Sequence, residues 1–242
     1  MNIGSQWNDR LRMWAEQFPK YYYRKIAELP VSFFTTMKHI PFEQAAQGRY
    51  APAPVGMKWG RKWEYGWFRT QIVISEALDG KRAVFTLNTA EEMLVWVNGR
   101  EAGAIDRKHR FITLSRAAKA GETYTIHAEC YAGHGVRNEG AGPVGWDEDS
   151  VPEPPEYQVT VGESHFGVWN EALFQAAMDY LTLYSLVQKL PEKSLRTMKI
   201  AEGLKKFTYI ADFELPEPDM TASVIEADKL LKPLLACKNG ST

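Results

Sequence analysis

The chain has 242 residues, 45% hydrophobic and 12% aromatic, which is enough to bury a sizeable core and too apolar for a disordered chain. Its 29 basic residues nearly balance 30 acidic ones and neither sign forms a long run, so there is no electrostatic footprint for nucleic acid. Cys130 and Cys237 are too few for a disulfide framework, and no stretch reads as a secretion signal or a bilayer span; reduced thiols, no membrane and a cytoplasmic location are the expectation.

Along residues 5–28, Trp7, Leu11, Trp14 and Phe18 recur at helical spacing, with Arg10, Arg12 and Glu16 left for solvent. Pro19 permits a break. "YYYRKIAELP" then reads as a second short helix ending before Pro30, because a residue preceding proline is pushed out of helical geometry. Residues 1–30 are therefore a helical lead-in.

From Val31 the period changes. In "WFRTQIVIS", Phe68, Thr70, Ile72 and Ile74 share one strand face against Arg69, Gln71 and Val73. "RAVFTLN" and "MLVWVNG" alternate in the same way, and Asn98-Gly99 joins the latter to "REAGAI" as a hairpin, since both residues tolerate positive φ. "RFITL" and "ETYTIHAECY" follow, the latter with Tyr124, Ile126, Ala128 and Cys130 on one face and His127 on the other. Short strands divided by glycine turns give a β-sandwich or jelly roll over residues 31–168, closed by "EYQVTVGESHFGVW". Between Gly133 and Pro155 a long loop rich in glycine, proline and acids interrupts the ladder, and loops of that length often carry function.

After Trp169 the helical period returns. Leu173, Ala176, Tyr180, Tyr184 and Val187 form one stripe, and Ile200, Leu204, Phe207 and Ala211 a second beyond Pro191. Thr221 can cap a last helix carrying Val224, Ala227, Leu231 and Leu234, with Pro233 bending or ending it. Residues 169–242 are a helical connector. Its stripes exceed what one sandwich needs, which suggests a docking interface. Asn239-Gly240-Ser241 matches a glycosylation sequon by chance.

Trp59, Trp63 and Trp67 lie four apart in "MKWGRKWEYGWFRT", but Gly60 and Gly66 break a helix and strand alternation follows at once, so this is a loop entering a strand. Two readings stand: the indoles seal the sandwich core, or Trp59 and Trp63 present a ring face to a sugar. Packing is the simpler of the two.

Three blocks, "KWGRKWEYGWFRT", "FTLNTAEEMLVWVNGREAGAID" and "FGVWNEALFQAAMDYLTLYSLVQKLPEKS", resemble in sequence and order the N-terminal region of cytoplasmic microbial and fungal α-mannosidases of glycoside hydrolase family 38. The resemblance runs from about Pro30 to the end. It implies a mainly β, galactose-binding-like jelly roll with flanking helices, ahead of a catalytic domain that opens with a His-x-Asp segment and holds zinc through two histidines and two aspartates. His39, His109, His127, His134 and His165 have no aspartate two residues on, so no catalytic or zinc residue carries over. The resemblance further implies a fragment whose partners are the catalytic domain of the same polypeptide, a mannoside or oligosaccharide, and other copies in a homo-oligomer. Trp96, Asn98 and Gly99 match the family's hairpin and are expected to hold the sheet.

Other chemistry is weakly supported. Asp147, Glu148 and Asp149 read as a solvated acidic loop, with calcium as the functional alternative. His134, between two glycines, could serve as base or ligand but has no partner at a recognised spacing; with Trp146 it completes the candidate substrate-binding set of Trp59, Trp63, His134 and Trp146. Cys130 reads as a buried apolar residue. The leading function is a non-catalytic accessory domain of a zinc-dependent α-mannosidase. The alternatives are an independent carbohydrate-binding module and a small hydrolase using carboxylates of residues 139–149.

Overall fold

A computed structural model of the chain describes residues 5–133 and 155–236. The first helices are α1, Ser5–Gln17, and α2, Pro19–Tyr22. There follow β1 (Tyr23–Glu28), β2 (Val31–Thr36), α3 (Phe42–Ala46), β3 (Ala51–Ala53), β4 (Lys58–Trp59) and β5 (Tyr65–Val73). Next come β6 (Ala83–Thr86), β7 (Met93–Val97), β8 (Arg100–Ile105), β9 (Ile112–Ser115), β10 (Thr123–Tyr131), β11 (Val159–Thr160) and β12 (His165–Trp169). The last helices are α4 (Glu171–Val187), α5 (Leu195–Ile210), α6 (Asp219–Asp228) and α7 (Lys232–Ala236). The chain divides into a helical unit, residues 1–24 with 169–242, and a β unit, residues 25–168.

In the β unit a six-stranded sheet, in the order β3-β2-β5-β10-β7-β8, and a four-stranded sheet, β1-β12-β6-β9, share one core. Phe68, Ile72, Ile126, Ala128 and Val95 enter it from the first sheet, and Ala83, Phe85, Ile112 and Phe166 from the second. The central pair is β5 with β10, antiparallel from Thr123↔Val73 to Tyr131↔Tyr65. The alternation of "WFRTQIVIS" and "TYTIHAECY" is thus the inside and outside of this pair. Asn98 and Gly99 both have positive φ, 49° and 78°, as the two-residue hairpin requires. Asn98 also ties the turn to β10: its N–H donates to Thr125 O and its Oδ1 accepts from Thr125 N, both at 2.8 Å.

Three readings change. Residues 23–28 are a strand rather than the end of a helix: Pro19 starts the one-turn α2, and the next residues form an edge of the four-stranded sheet beside β12, a tertiary pairing that overrides local pattern. The last helix begins at Asp219, after Pro218, so Thr221 lies inside its first turns, where its hydroxyl accepts from Asn170 Nδ2 at 3.0 Å instead of capping. Pro233 falls in the opening turn of α7, a position where its missing N–H costs nothing.

The helical unit has its own core. Leu11 and Phe18 pack with Leu173, Ala176, Tyr180, Leu204, Phe207, Val224, Ala227 and Leu231, and Tyr180 donates to Leu11 O at 3.2 Å. Asn170 caps α4 through Leu173 N and Ser194 caps α5 through Thr197 N. The long apolar stripes after Trp169 therefore bury one another and α1 inside this unit, while Leu195, Met198, Tyr209, Ile210 and Ile225 stay exposed on these helices.

Trp59 is 1% exposed, packs at 63° against Phe68, and donates Nε1–H to Thr89 O at 2.8 Å. A Cβ on Gly66 would sit 2.6 Å from the Trp59 ring, so this glycine makes room for the indole. In urea unfolding, Trp59→Ala is expected to lose about 3–5 kcal/mol through the cavity it leaves. Gly66→Ala should lose about 1–3 kcal/mol through overpacking. Trp63→Ala, at a side chain 46% exposed, should change stability by less than about 1 kcal/mol.

Candidate functional site

The side-chain period of two gives the six-stranded sheet a second face, away from the sandwich core. Register sets its rows. Thr36, Tyr65 and Tyr131 form the first; Phe34, Trp67, Glu129 and Leu94 the second; Ser32, Arg69, His127 and Trp96 the third; Gln71 and Thr125 begin the fourth. Two of these rows are roofed by the segment through α3. Phe42 stacks on Trp96 at 5.3 Å and meets His127 edge-on at 5.4 Å, while Tyr50 packs against Phe34 and lies under the Arg69 guanidinium, 4.2 Å from its ring centre. Ala45, Trp67 and Trp96 are the buried heart of this second, smaller cluster.

Polar atoms are trapped beneath that roof. Trp67 Nε1, both ring nitrogens of His127, and Glu129 Oε1 are buried without a hydrogen-bond partner among the described residues. Each such atom costs about 1–3 kcal/mol, and a native fold retains few of them without a reason. His127, 6% exposed, has its imidazole pKa lowered by burial and then by the Arg69 charge. Burial raises the Glu129 carboxyl above the usual carboxylate range, with the nearby His39 opposing. His39 Nε2 lies 3.2 Å from Glu129 Oε1, an ion-pair distance without the alignment of a hydrogen bond.

At the first row the face is open. Tyr65 and Tyr131 stack at 4.5 Å and 29°, Tyr131 is 48% exposed, and the His39 ring is 5.5 Å from Tyr65. Leu94, beside Glu129 on β7, is 40% exposed. At the opposite end Ser32, Pro52, Arg69, Gln71 and Thr125 line a groove of about 520 Å³.

The sequence-based candidates separate. Trp59 has both its ring faces and its N–H committed to the sandwich core, which rules it out as a sugar platform. Trp63 is exposed and holds a positive φ of 67°, uncommon for a bulky residue, and its backbone N–H donates to Gly133 O at 2.6 Å, just past Tyr131. His134, Trp146, Asp147, Glu148 and Asp149 lie outside the described residues. Cys130 is buried, and burial pushes its thiol up to about 12, so it is inert at neutral pH. Among the described residues no three of His, Cys, Asp and Glu converge to hold a metal, and no helix is long and apolar enough to cross a membrane. Missing from the sequence-based set are Tyr65, Tyr131, Glu129 and His39. The first three were readable as the alternate positions of two strands whose core face had already been identified; His39 carries no such signal.

A family model described as "Alpha-mannosidase, jelly roll domain" matches residues 27–167. Alpha-mannosidase 2C1 of Mus musculus is 25% identical over 191 residues, covering 77% of this chain and 18% of the mouse protein. The Homo sapiens protein of that name is 22% identical over 191 residues, with the same coverage. The chain thus spans about a fifth of the length of these curated relatives. Among solved structures, a β-glucuronidase from Ruminococcus gnavus in complex with uronic deoxynojirimycin is 13% identical with a TM-score of 0.45, covering 62% of this chain and 30% of that one. The apo form of the same enzyme has the same identity and TM-score, and 29% of its chain is covered.

The buried imidazole makes stability depend on pH. Since the folded pKa of His127 lies below its unfolded value of about 6.5, the unfolded chain binds more protons below that pH, and stability falls as the pH drops from about 6.5 towards the folded pKa. Glu129 and His165 are shifted as well, so the test is a difference between proteins. Urea midpoints measured between pH 7.5 and 5 should fall less steeply in His127→Phe than in the parent chain; equal slopes would show that His127 is solvated.

Proposed function

The chain belongs to the α-mannosidase jelly roll domain family, and from that premise we propose that it is a non-catalytic N-terminal accessory domain of a zinc-dependent α-mannosidase of glycoside hydrolase family 38. The observation that carries this is the family match over residues 27–167, together with relatives named α-mannosidase that are about five times as long as the aligned segment. On this reading the β unit supports the catalytic domain of the same polypeptide and the assembly of its copies, in the cytoplasm, and the substrate of the whole is a mannoside.

The chemistry of the described residues favours the accessory role. Retaining glycoside hydrolysis normally needs two carboxyl groups about 5 Å apart across the scissile bond. The outer-face positions of β2, β5, β10 and β7 bring one carboxylate, Glu129, and set it beside an imidazole. Nor do the described residues fit zinc, which takes three or four converging nitrogen, sulfur or oxygen ligands. On this reading hydrolysis and its metal belong to the catalytic domain.

The test is an assay of the 242-residue chain on an aryl α-mannoside, with and without added zinc. No turnover above buffer is expected, while a longer polypeptide that includes the catalytic domain hydrolyses the substrate and loses activity or solubility when residues 25–168 are deleted. Zinc-dependent, chelator-sensitive turnover by the 242 residues alone would contradict the assignment.

A further inference from the structure

We propose that the groove at the Arg69 end of the outer face binds a small organic acid through its carboxylate. This goes beyond the accessory role and does not depend on it. The groove, of about 520 Å³, falls in the size range of small-molecule sites, and Pro30 and Pro52 give it apolar walls beside the polar side chains of Ser32, Gln71 and Thr125. Strand register brings these groups together, with Ser32 opposite Arg69 across β2 and β5, and Gln71 opposite Thr125 across β5 and β10.

Arg69 sets the charge and shape of the ligand. Its guanidinium lies 4.2 Å from the centre of the Tyr50 ring, which covers one plane of the group and holds its orientation. The residue is half-buried, yet its side-chain N–H groups meet no acceptor and its charge meets no carboxylate among the described residues. A stacked guanidinium with its donor edge free is matched by a planar carboxylate, which it can hold through two parallel hydrogen bonds. Among the described residues that line the groove, Arg69 alone is charged. His127, beside it on β10, has its pKa lowered by burial and then by Arg69 itself, so it is neutral at pH 7 and adds no second charge. One positive charge balances one carboxylate and leaves a phosphate dianion half compensated. Gln71 Nε2 donates to Thr125 Oγ1 over a long 3.4 Å, so the Thr125 hydroxyl proton and the second Gln71 N–H remain to donate to the ligand.

The experiment is NMR titration of the 242-residue chain with acetate, lactate and inorganic phosphate at matched ionic strength, read at the Arg69 Nε–H and the Gln71 side-chain amide. Saturable binding of both carboxylates is expected at about millimolar affinity, tighter than that of phosphate and weakened about tenfold or more by Arg69→Gln. Gln71→Glu, at an exposed position, places a competing carboxylate in the groove and should weaken binding as much; it carries the test if Arg69→Gln disturbs the packing over Tyr50. Absence of a saturable shift at about 50 mM of either carboxylate would overturn the proposal, as would tighter binding of phosphate or unchanged affinity in Gln71→Glu. The longer polypeptide should bind the same acids; loss of binding there would overturn a free-ligand site by showing that another part of the protein fills the groove. Each of these failures would leave the accessory role standing, since that is judged by hydrolysis in the longer polypeptide.

Discussion

Pairing of β5 with β10 is the constraint on which the β unit rests. Because side chains alternate with a period of two, one register fixes the fate of eighteen positions at once. A slip of a single residue would carry Phe68, Ile72, Ile126 and Ala128 out of the core and drive Arg69, His127 and Glu129 into it. The cost of burying those charges and leaving that apolar surface wet holds the register firmly. The neighbouring strands then inherit their faces, β2 through Phe34↔Trp67 and β7 through Trp96↔His127.

That division also explains how one sheet carries two kinds of chemistry. The inner face is closed by the second sheet and holds Trp59 and an inert Cys130. The outer face is only partly roofed, by a short helix and a tyrosine, so it retains unpartnered polar atoms in its buried part and exposed aromatics at its edge. A fold selected for stability alone would replace such groups with apolar ones; sites that break the rule of polar satisfaction are where function is expected. The helical unit has a core of its own.

Much of the fold was legible in the residues, and the exceptions have physical causes. Strands β5, β7 and β10 and helices α4 and α5 announce themselves by sustained period, and Asn98-Gly99 by the positive φ that both residues tolerate. Strand β1 did not, because its burial alternates poorly and its neighbour β12 lies some 140 residues away in sequence. The stripe of α1 showed which side is apolar but not that α4 and α5 cover it. For the candidate site, spacing placed Trp59 and Trp63 together, whereas the structure buries one and exposes the other, because Gly66 opens a berth in the core for Trp59 alone. Glu129 and Tyr131 are neighbours on one face of β10, whereas Tyr65 and His39 lie far from them in sequence and are brought beside them by strand register and by the turn before α3.

Amide hydrogen exchange of the 242-residue chain under native conditions tests the governing role of the central pair most directly. The account predicts that amides of β5 and β10 are the last to exchange in the β unit and do so together, well after the edge strands β3 and β8. Exchange in β5 and β10 as early as in those edges would contradict it.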